Sequence, residues 1–213
     1  FFAVFEHLVP DFYDVAVFRI NFKTAGAGIT CGRYDHVVAT GHDRTVEQDY
    51  QQLSQIGIKS VRDTIRWPLV DLGYGRYDFS TVDAFIRAAE DHQICVIWDL
   101  FHYGFPKNLN LLSPSFARRF ADYCHAVAHY LRSRVDGSLW FTPINEPSFM
   151  AYAGGEVGLF APWLTGRGFD LKVALAEAAI AGIDAIRAVD PEARIVNVDP
   201  MCRVVAPAGR TDL

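Results

Sequence analysis

The tripeptide Asn145-Glu146-Pro147 contains the side chains best suited to chemistry in this sequence. It follows an apolar run of strand type at 139–144, and the proline prevents regular structure from continuing. A carboxylate at the carboxyl end of a buried strand lies where α/β proteins place their catalytic groups. The pattern therefore predicts acid–base chemistry at Glu146, with a solvated strand exit or a helix cap as the alternative.

Three further predicted strands also end in polar or aromatic side chains. Parallel strands bring their carboxyl ends to one face, so these side chains are expected to form one cluster. Several strands contributing to one cluster favour a TIM-type barrel over a doubly wound sheet, whose site lies at a switch point. Beside Asn145 and Glu146, the side chains are Arg62, Asp63, Arg66 and Trp67 from the first of these strands, Trp98, Asp99, His102 and Tyr103 from the second, and Asn197 and Asp199 from the third.

Helical patterns alternate with these strands from residue 41 onward. The first predicted helix, 45–56, has capping-box spacing from Thr45 and ends before Gly57. Later helices are predicted to be capped by Ser80, Ser113 and Asp170, with a glycine- and aromatic-rich loop at 151–168. The order predicts an α/β fold of the TIM (β/α)8 barrel type, incomplete, with about five βα units.

The whole chain, 1–213, is interpreted as one barrel domain and as its N-terminal part. Residues 1–36 give no clear assignment beyond strand character at 15–22. The segment GAGITCG at 26–32 is not a G-x-G-x-x-G fingerprint that opens a helix, so nucleotide binding is not predicted.

Composition excludes several classes of partner. The chain is 51% hydrophobic and 14% aromatic, with a net charge of -5 and no basic run, so we expect no nucleic-acid partner. No membrane partner is expected either, because no apolar run reaches the ~18 residues that a spanning helix needs. The four cysteines form no C-x-x-C pair, which predicts buried free thiols, a reducing compartment and a cytoplasmic protein.

The strand-end residues occur in motifs that resemble glycoside hydrolase family 1. The region 42–68, with Arg62 and Trp67-Pro68, looks like the second-strand region of that family, and 98–106 looks like its His-Trp-Asp-Leu-Pro region. Asn145-Glu146-Pro147 is similar to its Asn-Glu-Pro acid/base motif. The resemblance covers roughly 41–200 and implies a β-glycosidase with a carbohydrate substrate and no metal or organic cofactor.

Family membership would assign roles to the matching positions. Glu146 would be the general acid/base, and Asn145 would bind the sugar 2-hydroxyl. Arg62 would pair with the catalytic nucleophile, and His102 would bind sugar hydroxyls. Independently of the resemblance, Trp67 and Tyr103 are expected as aromatic surfaces on which a sugar could stack.

The sequence departs from the family pattern in three ways. Pro143 replaces the usual threonine, and the first strand of the barrel finds no convincing match before residue 41. The family's nucleophilic glutamate lies on the seventh strand, whereas about five strands are predicted here. Because the sequence also lacks an initiator Met, we expect a fragment that alone hydrolyses little, or one whose open edges self-associate or bind a complementing C-terminal part.

The expected reaction is hydrolysis of a β-glycosidic bond by two carboxylates, with retention. The main alternative is a non-catalytic carbohydrate-binding or assembly module derived from a glycosidase barrel. Two others are an unrelated α/β enzyme with a similar cluster, and a zinc site at His125 and His129, which are spaced i, i+4 but lack the glutamate of H-E-x-x-H.

Overall fold

The computed structural model describes residues 35–200, in which helices and short strands alternate. In chain order the helices are α1 (His36–Thr40), α2 (His42–Gln55), α3 (Trp67–Val70), α4 (Asp83–Asp91), α5 (Ser115–Arg132), α6 (Pro147–Met150) and α7 (Gly168–Val189). The strands are β1 (Ser60–Thr64), β2 (Asp71–Gly73), β3 (Arg76–Tyr77), β4 (Cys95–Asp99), β5 (Trp140–Thr142) and β6 (Arg194–Ile195). The predicted strand at 15–22 and the segment 26–32 lie outside the described residues.

Four strands form one parallel sheet in the order β1-β4-β5-β6. Helix α4 lies between β1 and β4 in the chain, α5 between β4 and β5, and α7 between β5 and β6. Parallel neighbours need crossover connections of this kind, and their repetition is the construction of a βα barrel. The predicted barrel-type fold is therefore confirmed as a partial α/β barrel, to which the hairpin β2–β3 is added after the first strand.

The register of the sheet separates its two faces. Thr64 pairs with Asp99, and Arg62 lies two residues before Thr64, so all three side chains project from the same face. Val61 and Trp98 project from the opposite face, where they are buried in the core that the helices complete. Arg62, Thr64 and Asp99 therefore share one face, whereas Val61 and Trp98, which alternate with them, supply the core.

Helices α5 and α7 pack closely against each other. Phe120 and Cys124 of α5 are fully buried, and they lie against Gly182 of α7. A Cβ atom at Gly182 would come within 2.8 Å of the Phe120 ring, so only glycine permits this approach. No helix within 35–200, α7 included, is long and apolar enough to cross a membrane.

The first helix differs from its prediction at one end. Helix α2 begins at His42, because Gly41 adopts a left-handed φ of 79° and starts the helix earlier than expected. Thr45 lies inside this helix, where its hydroxyl donates to Asp49 Oδ2 at 2.8 Å and lies 3.2 Å from Gly41 O, so the predicted capping box does not form. The other end is confirmed, with Gly57 at a φ of 87° immediately after the last turn.

Later boundaries also differ from the predictions. Helix α4 begins at Asp83 rather than at Ser80, whose amide donates instead to Asp78 Oδ1 at 2.9 Å. Asp170 lies within the first turn of α7 rather than at its cap, and it pairs with Arg167. The predicted loop 151–168 begins as a π-helix, Ala151–Glu156, that continues directly from α6.

The two described cysteines occupy different environments. Cys124 is buried, as predicted, but Cys95 is exposed because it is the first residue of β4, where the strand enters the sheet. Both are free thiols. The remaining cysteines, Cys31 and Cys202, lie outside the described residues.

A buried ionic cluster joins α2 to the helix-facing side of β1. The two ring nitrogens of His42 contact Asp49 Oδ2 at 2.6 Å and Asp63 Oδ2 at 2.7 Å. The Tyr50 hydroxyl also donates to Asp63 Oδ2, at 3.0 Å. Burial alone would lower the pKa of His42, but the hydrogen bonds and negative charges of Asp63 and Asp49 outweigh it and raise the pKa to about 9. Asp63 therefore supports the fold and does not face the strand-end cluster.

This cluster predicts a loss of stability in mild alkali. A raised folded-state pKa contributes stability that is fully present below the unfolded value of 6.5 and is lost as pH rises through about 9. The loss that we expect is on the order of 3 kcal/mol in the free energy of unfolding. Urea titrations at several pH values across this range give the slope of the free energy of unfolding against pH. We expect a negative slope in the wild type and in His125→Gln, which changes an exposed histidine, but not in His42→Gln. Equal slopes in all three proteins would contradict the assignment.

Candidate active site

Glu146 lies at the exit of β5, where the backbone is fixed by the segments that follow both neighbouring strands. The Asn145 amide donates to Phe101 O at 3.0 Å, and the Glu146 amide donates to Val198 O at 3.1 Å. Glu146 itself has a left-handed φ of 44°, and α6 starts at the next residue, Pro147. A left-handed non-glycine residue is uncommon and marks a position that its surroundings must hold. The carboxyl group is consequently placed at the strand end while it stays partly exposed to solvent.

Behind Glu146, four polar side chains from three strands form a closed ring of contacts. Arg62 Nη1 donates to Asn145 Oδ1 at 2.6 Å and lies 3.5 Å from Asp99 Oδ2. His102 Nδ1 lies 2.8 Å from the same Asp99 oxygen, and Asn145 Nδ2 lies 3.2 Å from His102 Nε2. Asn145 and Asp99 are each only 1% exposed. A buried charge pair with further hydrogen bonds is a rigid support, because loss of any member leaves the others unpaired.

Tyr103 connects this ring to Glu146. Its hydroxyl donates a hydrogen bond to Glu146 Oε2 and accepts one from Asn145 Nδ2 at 3.1 Å. Burial, together with the hydrogen bond and negative charge of Glu146, raises the pKa of Tyr103 far above its ordinary value. The ring contacts Phe149 and Phe160, with centroid distances of 5.9 and 5.1 Å. The sequence predicted Tyr103 as a stacking surface, whereas the structure shows a hydrogen-bonding contact with the candidate acid/base.

Trp67, the other predicted stacking surface, does not reach the cluster. It is 1% exposed, and its indole stacks on Tyr123 of α5 at 5.2 Å. Its Nε1 donates to Asp71 Oδ2 at 3.1 Å. Because the chain turns into α3 directly after β1, the ring is carried to the layer between the sheet and α5, where it has no open face for a sugar.

With this geometry established, comparison with known proteins identifies the family. The family model described as cellulase (glycosyl hydrolase family 5) matches residues 22–201. The chain belongs to this family. The resemblance noted in the sequence is thus confirmed at the level of (β/α)8 glycosidases, while the matching family model is that of family 5 and not family 1.

Curated relatives of this cellulase-family chain include two named Beta-glucosidase A. That of Acetivibrio thermocellus is 27% identical over 144 residues, which are 65% of this chain and 31% of the relative. That of Thermotoga maritima is 27% identical over 133 residues, which are 59% of this chain and 29% of the relative. The chain therefore spans about a third of the length of the relatives that it matches.

Solved structures show the same fold. The family 1 β-glucosidase from Thermotoga maritima superposes with a TM-score of 0.67 at 21% identity, covering 74% of this chain and 37% of that one. The structure described as AHE enzyme from Alicyclobacillus herbarius superposes with a TM-score of 0.66 at 23% identity, covering 72% and 36%. Both likenesses show a shared fold over part of each chain.

Four residues around Glu146 have contacts that the sequence did not predict. Asp99 is among the strand-end side chains predicted to cluster, but its pairing with His102 was not predicted, although their i, i+3 spacing at a strand end is a signal for it. For Phe149 and Phe160, the only signal in the sequence is the number of aromatic residues near them. Asp199, which was noted at the fourth strand end, binds the Ser148 amide at 3.1 Å and fixes the start of α6.

The described part of the chain gives no support to the alternative of a zinc site at His125 and His129. His125 and His129 are exposed on α5, on the side away from the sheet. Between residues 35 and 200, no group of three or more His, Cys, Asp or Glu side chains could hold a metal ion.

Proposed function

We propose that this chain carries the acid/base side of the active site of a β-glucosidase, of the type found in family 1. One observation carries the proposal: Arg62, His102 and Asn145, from the ends of three strands, form one hydrogen-bonded cluster, and the Tyr103 hydroxyl joins Glu146 to it. The relatives named Beta-glucosidase A support glucose as the sugar.

The role that we assign to Glu146 is proton transfer to and from oxygen. In the first step its carboxyl proton moves to the glycosidic oxygen as the bond from that oxygen to the anomeric carbon breaks. In the second step the resulting carboxylate takes a proton from the water that attacks the anomeric carbon. The partial exposure of Glu146 supports this role because a leaving group must be able to reach it.

Asn145 and His102 are the groups that we assign to the sugar. Both hydrogens of Asn145 Nδ2 are already engaged, by His102 Nε2 at 3.2 Å and by the Tyr103 hydroxyl at 3.1 Å. We propose that a sugar hydroxyl inserts between Asn145 and His102, accepting from the amide nitrogen and donating to His102 Nε2. Arg62 keeps the Asn145 amide in this orientation, because it holds the amide oxygen at 2.6 Å.

The second carboxylate belongs to the proposal as well. Retention of configuration needs a nucleophilic carboxylate about 5–5.5 Å from the acid/base. The resemblance to family 1 assigns it to a later strand, and the chain spans only about a third of its relatives. We therefore place the nucleophile outside residues 1–213, in a C-terminal part that would complete the barrel. Within residues 35–200 the outer strands of the sheet are β1 and β6, and self-association would be another way to cover their edges.

A comparison of anomers tests the proposal. We expect the full-length protein to hydrolyse 4-nitrophenyl β-D-glucopyranoside and to leave the α-anomer intact, because the acid/base is fixed on one side of the sugar. Calorimetric titration with the same sugars should accompany the assay. Binding of glucosides without turnover of either anomer would overturn the proposal in favour of the non-catalytic carbohydrate-binding module.

A further inference from the structure

The hydrogen bonds around Asn145 have a fixed direction. An arginine side chain has no acceptor, so the 2.6 Å contact from Arg62 must go to the amide oxygen of Asn145. The amide nitrogen of Asn145 is thereby turned toward His102 and Tyr103. Because that nitrogen only donates, the Tyr103 hydroxyl oxygen receives one of its hydrogens.

The direction of hydrogen-bond donation is also fixed between Tyr103 and Glu146. With its oxygen accepting from Asn145, the Tyr103 hydroxyl directs its single proton at Glu146 Oε2. The backbone reinforces the contact, since Tyr103 and Glu146 have left-handed φ angles of 61° and 44°. Non-glycine residues keep such angles only where surrounding contacts hold them. The ring of Tyr103 is held in turn by Phe149 and Phe160.

We propose that Tyr103 is a positioning residue that selects the oxygen of Glu146 that exchanges the catalytic proton. This inference rests on the proposed function of the site. Since Oε2 is engaged by the Tyr103 hydroxyl, the proton for the leaving group is carried by Oε1. When the glycosidic bond breaks, the Oε1 proton moves to the leaving oxygen, which also keeps the electron pair of the broken bond. Water later returns a proton to Oε1, and Tyr103 keeps its own proton throughout.

The surroundings of Tyr103 favour retention of its proton, and its hydroxyl stabilises the charge on Glu146. Burial and the adjacent Glu146 carboxyl raise the pKa of Tyr103, so the phenol stays protonated over the working range of a glycosidase. The charge that appears on Glu146 after proton transfer is stabilised by the same hydroxyl, which already points at it.

Tyr103→Phe tests the inference because it removes the hydroxyl and leaves the ring packing in place. Loss of a hydrogen bond to a charged group should lower kcat/KM for methyl β-glucoside about 10- to 100-fold. The loss should be much smaller for 2,4-dinitrophenyl β-glucoside, whose leaving group needs no acid. Tyr130→Phe is the matched control, because the Tyr130 hydroxyl also donates to a carboxylate, that of Asp83, on a ring stacked at 4.2 Å on Phe79. Equal losses for both substrates would show that Tyr103 is merely structural and would overturn the inference.

A second measurement separates this inference from the proposed function. The side-chain ¹³C resonance of the Glu146 carboxyl, assigned by its disappearance in Glu146→Gln, should move in Tyr103→Phe and stay in place in Tyr130→Phe. An unmoved resonance in Tyr103→Phe contradicts the inference whether or not the protein is active. A wild type that hydrolyses no glycoside, with the resonance shifted as expected, contradicts the proposed function and not the contact.

Discussion

Replacement of Glu146 by glutamine should lower kcat/KM for alkyl β-glucosides by about 10²- to 10⁴-fold, the usual contribution of a general acid. The amide has nearly the shape of the carboxyl group but has no acidic proton to give to the leaving oxygen. The Tyr103 hydroxyl can still donate to the amide oxygen, so the fold of the strand exit should persist. The measurement is steady-state hydrolysis of methyl β-glucoside by the full-length protein.

Two comparisons make this result specific. With 2,4-dinitrophenyl β-glucoside, bond cleavage should survive in Glu146→Gln because that leaving group departs without a proton. Glu177→Gln, at an exposed carboxylate on α7, should hydrolyse both substrates like the wild type. Unchanged hydrolysis of the alkyl glucoside by Glu146→Gln would exclude Glu146 as the acid.

Trp67→Ala should lower the free energy of unfolding by about 3–5 kcal/mol, the range measured for large aromatic side chains in cores. The indole is 1% exposed and contacts the rings of Phe101, Phe120 and Tyr123, all of them buried. Its removal would leave a cavity between the sheet and α5. The hydrogen bond from Nε1 to Asp71 would also be lost.

Trp163→Ala provides the comparison for this loss. Trp163 is 39% exposed, and its removal should change the free energy of unfolding by no more than about 0.5 kcal/mol. Both variants can be measured by urea denaturation at one pH. Similar stabilities for the two proteins would contradict the placement of Trp67 in the core.

The sequence was sufficient to predict the order of elements and the approach of the main site residues. Buried parallel strands are recognisable from apolar runs such as 94–100, and parallel strands necessarily collect their exits at one end. Arg62, His102, Asn145 and Glu146 could therefore be expected near one another from the sequence. The structure joins the first three directly, and it joins Glu146 to them through the Tyr103 hydroxyl.

The sequence could not decide which aromatic residue reaches the site. Trp67 and Tyr103 both follow a strand, but the turn into α3 directs Trp67 into the core, whereas a left-handed backbone at Tyr103 directs its hydroxyl to Glu146. Such turns depend on tertiary contacts that local patterns do not contain.

Two aspartates at strand ends show what the alternation of side chains along a strand predicts and where the register between strands is also needed. Asp63 is adjacent to Arg62 on β1, so it must project from the opposite face, where it binds His42. Asp99 pairs in register with Thr64, two residues from Arg62, and therefore shares the face of Arg62 and contacts it. The alternation was readable from the sequence, but the register between strands was needed to apply it.

Azide rescue of Glu146→Ala tests the central claim most directly. In a retaining enzyme without its acid/base, the glycosyl–enzyme intermediate formed from 2,4-dinitrophenyl β-glucoside accumulates, because water is no longer activated to attack it. Azide can attack the intermediate without a base. Azide should accelerate turnover of this variant in the full-length protein, and the product should be β-glucosyl azide. Absence of acceleration by azide, or formation of the α-azide, would contradict the assignment of Glu146 as the acid/base of a retaining β-glucosidase.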